Sequence, residues 1–196
     1  CSAGSRIYVE RPVFEALSTK LAERAKKARL GPGIDPNTQM GPLISADQLA
    51  RVEGYVESGK KDGAKLLAGG ARPEGLKGWF YSPTVFVDVK DSMPVAREEI
   101  FGPVAAVMPF DSADEVVRRA NDNPYGLAAG VWTKDIKRAF QMVKSLRAGT
   151  VWVNNYNLSD VASPWGGFKA SGWGRETGAQ AMHLYTEVKS VVINLG

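Results

Sequence analysis

The sequence has a single cysteine, Cys1, and a single histidine, His183. One thiol closes no internal disulfide, and one thiol with one imidazole assembles no Cys/His zinc cluster, so no metal site is expected. Sparse cysteine use fits a reducing, cytoplasmic setting. No apolar run approaches the roughly 18 residues that a membrane helix needs, and no basic-then-apolar leader opens the chain, so no membrane partner is expected. Charge of one sign is nowhere gathered: the 25 basic and 21 acidic residues interleave. The formal charge of +4 and pI near 9.2 therefore do not point to nucleic acid. Internal repeats, low-complexity tracts and interdomain linkers are also missing.

What is present is enough apolar sequence, 44% of 196 residues, to bury a sizeable core. Strand and helix signals alternate, the pattern of an α/β fold with a largely parallel sheet and flanking helices. Strands are expected at Ile7 to Val9, Lys65 to Ala68, Thr84 to Val89, Val104 to Phe110, Leu127 to Thr133 and Val151 to Val153. Helical spacing runs from Pro12 to Arg29 through Val13, Phe14, Leu17, Leu21, Ala25 and Ala28. Ser45-Ala46-Asp47-Gln48 offers a capping-box start for a helix burying Leu49, Val52 and Val56. Ser112 opens another helix through Ala120. A further one spans Lys134 to Leu146, with Gly149 as its C-terminal glycine. Tyr185 to Asn194 alternates as an exposed strand; an unpaired edge of that kind seeks a partner, which favours a homo-oligomer.

Cys1 cannot be a translation start, so an upstream segment is expected to have been removed or to belong to a longer protein. Three readings account for it. Cys1-Ser2-Ala3-Gly4-Ser5 resembles the start of a protein lipidated on its first cysteine, but Arg6-Ile7-Tyr8-Val9-Glu10 follows with no flexible tether. An N-terminal-nucleophile hydrolase would use the cysteine's own α-amine as base. The third reading is an internal piece of a larger enzyme.

Three blocks bear on that choice: Cys1-Ser2-Ala3-Gly4-Ser5-Arg6, Arg97-Glu98-Glu99-Ile100-Phe101-Gly102-Pro103, and Pro164-Trp165-Gly166-Gly167-Phe168-Lys169-Ala170-Ser171-Gly172. Between them lie Asn121-Asp122-Asn123-Pro124-Tyr125-Gly126-Leu127 and Gly149-Thr150-Val151-Trp152-Val153-Asn154. In this order and spacing they resemble the aldehyde dehydrogenase superfamily over the whole chain, specifically its catalytic, C-terminal half.

The resemblance implies an NAD(P)-dependent oxidation of an aldehyde to a carboxylic acid, through a cysteine thiohemiacetal and thioester. Cys1 takes the place of the nucleophile, for which a thiolate is suited as both attacking and leaving group. Glu99 takes the place of a carboxylate that accepts from the nicotinamide ribose diol, and Phe101 that of an aromatic ring near the nicotinamide. Ser2, Asn157, Ser159 and Trp165 are the expected substrate-lining residues. Asn154 matches an asparagine that acts as a structural hydrogen bonder. Trp165 suggests betaine aldehyde, whose cation can sit on an indole face, or an aryl aldehyde that can stack there. His183 is expected at the surface or in a structural role.

The implied organisation is a catalytic domain over residues 1–184 and an oligomerisation strand over 185–196, in a parent that forms dimers or tetramers. The cofactor is NAD or NADP, but no dinucleotide-binding glycine fingerprint occurs here. In the family the cofactor domain, the activating glutamate and an oxyanion-hole asparagine precede the nucleophile. The 196-residue chain alone is thus expected to be inactive. A non-catalytic truncated paralogue acting as an oligomerising module is the alternative.

Overall fold

Four strands make the main sheet of the computed structural model, which describes residues 1–196: β1 (Arg6–Glu10), β2 (Lys65–Ala68), β3 (Thr84–Val87) and β4 (Val104–Phe110). Their spatial order is β1-β4-β3-β2. β4 runs parallel to both neighbours, with Arg6 opposite Ala106 and Thr84 opposite Val104. β2 is antiparallel to β3, with a break in register between Leu66 and Ala68. The α/β reading holds, and the sheet is mixed, parallel at its centre with an antiparallel strand at one edge.

A side-chain period of two divides these strands between two helical layers. Val9, Val85, Val87 and Val107 pack with Phe14, Leu21 and Ala25 of α1 (Arg11–Lys26). Tyr8, Phe86, Ala106 and Met108 belong to the opposite core, with Leu49, Val52 and Val56 of α2 (Ala46–Lys61) and Val95 and Ala96 of the short helix α3 (Pro94–Arg97). A strand covered on both faces has no solvent side to alternate toward, which is why β3 is buried along its whole length.

α1 differs in rotation from the face that its apolar residues suggest. Val13 and Leu17 are exposed, while Ser18 and Ala22 are buried and Phe14, Leu21 and Ala25 pack on the sheet. Burial against the sheet, not the count of apolar residues, fixes the rotation, and a small serine fits the close approach. Ser45 caps α2 by accepting from the Gln48 amide nitrogen at 3.1 Å. The reciprocal half of the expected box is replaced, because the Gln48 side chain is directed elsewhere, as described below.

α4 (Ala113–Asn121) begins at Ser112, whose Oγ accepts from the Glu115 N–H. Its Arg119 donates to Asp91 at 2.6 Å, to Glu115 at 2.8 Å and to the Pro109 carbonyl at 2.7 Å. Tyr8 donates to Asp91 at 2.9 Å, and the Arg119 guanidinium lies 5.0 Å from the Tyr8 ring centre. Burial tends to raise the Asp91 pKa, but the bonds from Arg119 and Tyr8 outweigh it and hold the carboxyl below its ordinary range. These groups belong to one compact unit, residues 3–119 with Cys1; residues 120–196 with Ser2 form a second.

In the second unit β5 (Ala128–Val131) and β6 (Thr150–Val153) pair in parallel, with Ala128 opposite Thr150. The crossover is α5 (Ile136–Ser145), capped by Asp135, which accepts from the N–H groups of Lys137 and Arg138. Gly149 is not its C-terminal glycine: the helix ends at Leu146 in an extended conformation. Gly149 serves close approach, since a Cβ there would collide with the Gly166 carbonyl oxygen. Residues 185–196 are exposed and pair with no strand of this chain, so the expected terminal strand is absent from the single chain.

Candidate functional site

The first unit presents three of the expected site residues. Cys1 is exposed, with a free thiol. Glu99 and Phe101 lie on the turn that follows α3, and this turn is fastened to α2. Gln48 Nε2 donates to the carbonyls of Ile100 and Phe101, both at 2.9 Å, and Arg51 donates to the Glu99 carbonyl at 2.8 Å. Tyr55 donates its hydroxyl to the Glu98 carboxylate at 2.6 Å. Ile100 is buried in the core and acts as the anchor.

Phe101 sits at φ 57°, a left-handed conformation that a bulky residue adopts only when its surroundings impose it. The next residue, Gly102, brings the turn against α2 so closely that a Cβ there would strike Val52. With its backbone committed in this way, the turn leaves two side chains open. The Glu99 carboxylate is exposed and makes no hydrogen bond, and the Phe101 ring is 58% exposed. A free carboxylate and an uncovered aromatic ring on one turn suit a ligand that carries a diol and a flat ring.

The second unit holds the other expected residues. Ser2 Oγ donates to Asn157 Oδ1 at 3.1 Å, so these two are brought together. Asn157 is held at φ 60°. Tyr156 donates to the Ser2 carbonyl at 2.6 Å, and burial raises its pKa. Its ring stacks 6.0 Å from Trp132 and lies tilted 4.8 Å from Trp152. Trp152 in turn lies 6.0 Å from Trp165 and donates its indole N–H to the Leu158 carbonyl. Trp165 is fixed by a reciprocal pair of 2.7 Å backbone bonds with Glu176. Ser159 is exposed and bonds to none of these residues.

Asn154 exchanges two 2.9 Å bonds with the Thr133 backbone, which employs both ends of its amide and gives it a structural role. His183 is exposed on a short 3-10 turn, Ala179–Leu184. No group of three or more His, Cys, Asp or Glu residues is placed to hold a metal ion. No helix is long and apolar enough to cross a membrane.

Sequence reading names Gln48 only as a capping-box residue and does not single out Arg51, Tyr55 or Tyr156. A signal existed for the first three, spaced three and four apart on a helix otherwise examined for its apolar stripe.

The model of the aldehyde dehydrogenase family matches residues 1–191. The chain belongs to the aldehyde dehydrogenase family. It is 50% identical over 199 residues to a betaine aldehyde dehydrogenase of Mesorhizobium japonicum, covering 100% of this chain and 41% of that one. Among solved structures, the NAD+ complex of a Bacillus cereus aldehyde dehydrogenase superposes with a TM-score of 0.97 at 53% identity, covering 100% of this chain and 40% of that one. A Staphylococcus aureus betaine aldehyde dehydrogenase in complex with NAD+ gives 0.92 at 42% identity, covering 94% and 37%. The chain thus spans about two fifths of the length of the aldehyde dehydrogenases it matches.

Proposed function

We propose that this chain is the cysteine-bearing catalytic part of an NAD-dependent aldehyde dehydrogenase that oxidises an aldehyde to a carboxylic acid. The observation that carries the reading is the turn at residues 98–101, whose backbone is bound to α2 while the Glu99 carboxylate and Phe101 ring stay open. That pair of side chains fits a nicotinamide ribose, with Glu99 accepting from the diol and Phe101 beside the nicotinamide. The dinucleotide, when bound, supplies the two-electron oxidant. NAD is favoured over NADP because the similar B. cereus and S. aureus structures are NAD+ complexes.

The chain's own chemistry begins at Cys1. Its thiolate adds to the aldehyde carbon to give a thiohemiacetal, and oxidation at that carbon leaves a thioester on Sγ. Water adds to the thioester, the C–S bond breaks, and the acid leaves with the thiol restored. The solved structure of an S. aureus betaine aldehyde dehydrogenase has a BME-modified cysteine, which supports the reading of a reactive thiol.

Ser2, Asn157, Ser159 and Trp165 are the proposed substrate contacts. The linked rings of Trp152 and Trp165 offer aromatic faces to a betaine cation or an aryl group, and betaine aldehyde is the first substrate to try. The reading divides the chain into a catalytic domain at 1–184 and a tail at 185–196 that adds as a strand to a neighbouring subunit's sheet in a dimer or tetramer. Val188, Val192 and Ile193 are exposed on that tail, which supports its having a partner.

The test is NADH formation by the full-length parent protein with betaine aldehyde or phenylacetaldehyde. Cys1→Ala should reduce turnover about 10³-fold or more. Turnover that survives this substitution sinks the assignment of Cys1. The 196-residue chain alone should produce no NADH, and sustained production by it would overturn the placement of required groups elsewhere in the parent.

A further inference from the structure

Three side chains on one stripe of α2 hold the turn at residues 98–101. Gln48 and Arg51 bind backbone carbonyls, whereas Tyr55 binds a side chain, the Glu98 carboxylate, at 2.6 Å. The Tyr55 hydroxyl also accepts from Arg51 at 3.2 Å, and the Arg51 guanidinium lies 5.2 Å from the Tyr55 ring centre. Arg51, Tyr55 and Glu98 therefore form a chain of bonds that ends on the residue immediately before Glu99. Each link is charge-assisted at one end.

Glu98 and Glu99 are adjacent, exposed and alike, yet only one of them is tethered. Without the tether, either carboxylate could take the open position, and their mutual repulsion would spread both over several rotamers. With Glu98 tied to α2 and Ile100 buried, the backbone on both sides of Glu99 is fixed. The Glu99 side chain then projects from a rigid base.

We propose that Tyr55 is a positioning residue for cofactor binding, acting through Glu98 to present the Glu99 carboxylate to a nucleotide ribose. The inference rests on the reading of Glu99 as the ribose acceptor. Tyr55 touches neither cofactor nor substrate in this role.

The experiment measures NAD+ affinity by titration calorimetry, and the KM for NAD+ and for the aldehyde, in the full-length parent carrying Tyr55→Phe, Glu98→Ala, the double substitution or Glu99→Ala. Phenylalanine keeps the ring against Arg51 and removes only the hydroxyl. Tyr55→Phe should weaken NAD+ binding about three- to tenfold, the range for losing one bond to a charged group that is partly open to water. Glu98→Ala should do the same, and the double variant should be no weaker than the worse single one, because both remove one link. The aldehyde KM should hold.

Unchanged NAD+ affinity in Tyr55→Phe, with weakened affinity in Glu99→Ala, would overturn the positioning role and leave the proposed function intact. Unchanged affinity in Glu99→Ala would defeat the reading of Glu99 itself. Additive losses in the double variant, or a rise in aldehyde KM matching that for NAD+, would mark Tyr55 as general structural support and overturn the proposal. Should Tyr55→Phe fail to fold, Glu98→Ala, at an exposed side chain, carries the test.

Discussion

The Tyr156 hydroxyl donates a 2.6 Å hydrogen bond to the carbonyl oxygen of Ser2, 154 positions away in sequence. This bond secures the residue covalently attached to Cys1, and the same tyrosine sits between the rings of Trp132 and Trp152. Tyr156→Phe should cost about 1 kcal/mol, the net worth of one ordinary hydrogen bond. Tyr156→Ala should cost more, since ring contacts of this kind add about 0.5–1.5 kcal/mol beyond the area they bury. Denaturant unfolding of the variants separates the two contributions: equal losses would mean that the ring contacts add nothing, and no loss in Tyr156→Phe would mean that the hydroxyl does nothing.

Asp91 sets an acid limit. Burial pulls its pKa up, but Arg119 and Tyr8 win and hold it below the ordinary carboxylate range. A depressed pKa gives stability that is fully present above the unfolded value of about 3.9 and is lost as pH falls through the folded one. Melting temperatures recorded from neutral pH down past 3.9 should therefore fall less steeply in Asp91→Asn than in the parent sequence. Parallel curves would remove Asp91 from the acid response.

Tyr8 and Tyr81 set an alkaline limit. Both have their pKa pushed up to about 12, chiefly by burial, with Asp91 adding to the first and Glu53 and Glu57 to the second. A raised pKa on an acidic group means that the folded state holds the proton more tightly. The stabilisation is present below the unfolded value of about 10 and disappears as pH rises toward 12. Tyr81→Phe should flatten the loss of melting temperature over that interval, whereas an unchanged slope would mean that this ring does not titrate with unfolding.

Gly149→Ala should destabilise by about 2 kcal/mol or more, because the added Cβ runs into the Gly166 backbone and not into a movable side chain. Gly33→Ala, where a Cβ meets nothing, is the matched control. A melting temperature equal in the two variants would show that the 149 and 166 segments can separate.

The parts of the fold that rest on local chemistry were legible in the sequence. Val104 to Phe110 reads as a buried strand because its apolar run is long, and Ser45 and Ser112 announce their helices through hydroxyls that accept nearby N–H groups. The rotation of α1 was not legible, since Val13 and Phe14 are both apolar and only the shape of the sheet decides which one is covered. The four-residue α3 is too short to show a period. Among the proposed site residues, Cys1, Glu99 and Phe101 stand within contiguous motifs, which is why the sequence offers them as candidates. Their supports are harder to read: spacing puts Gln48, Arg51 and Tyr55 on one stripe of α2 but does not show what they bind, 43 to 53 positions away, and Tyr156 acts across 154.

The aromatic rings also give the two units separate optical signatures. Of the five indoles, only Trp79 belongs to residues 3–119; Trp132, Trp152, Trp165 and Trp173 belong to residues 120–196. Tryptophan emission from a Trp79→Phe variant would come from the second unit alone. Far-ultraviolet dichroism is weighted toward the 16-residue helices α1 and α2 of the first unit. Recording both signals during one melt turns a conventional stability assay into a test of cooperativity: coincident curves mean that the two units unfold as one, and displaced curves assign each its own stability.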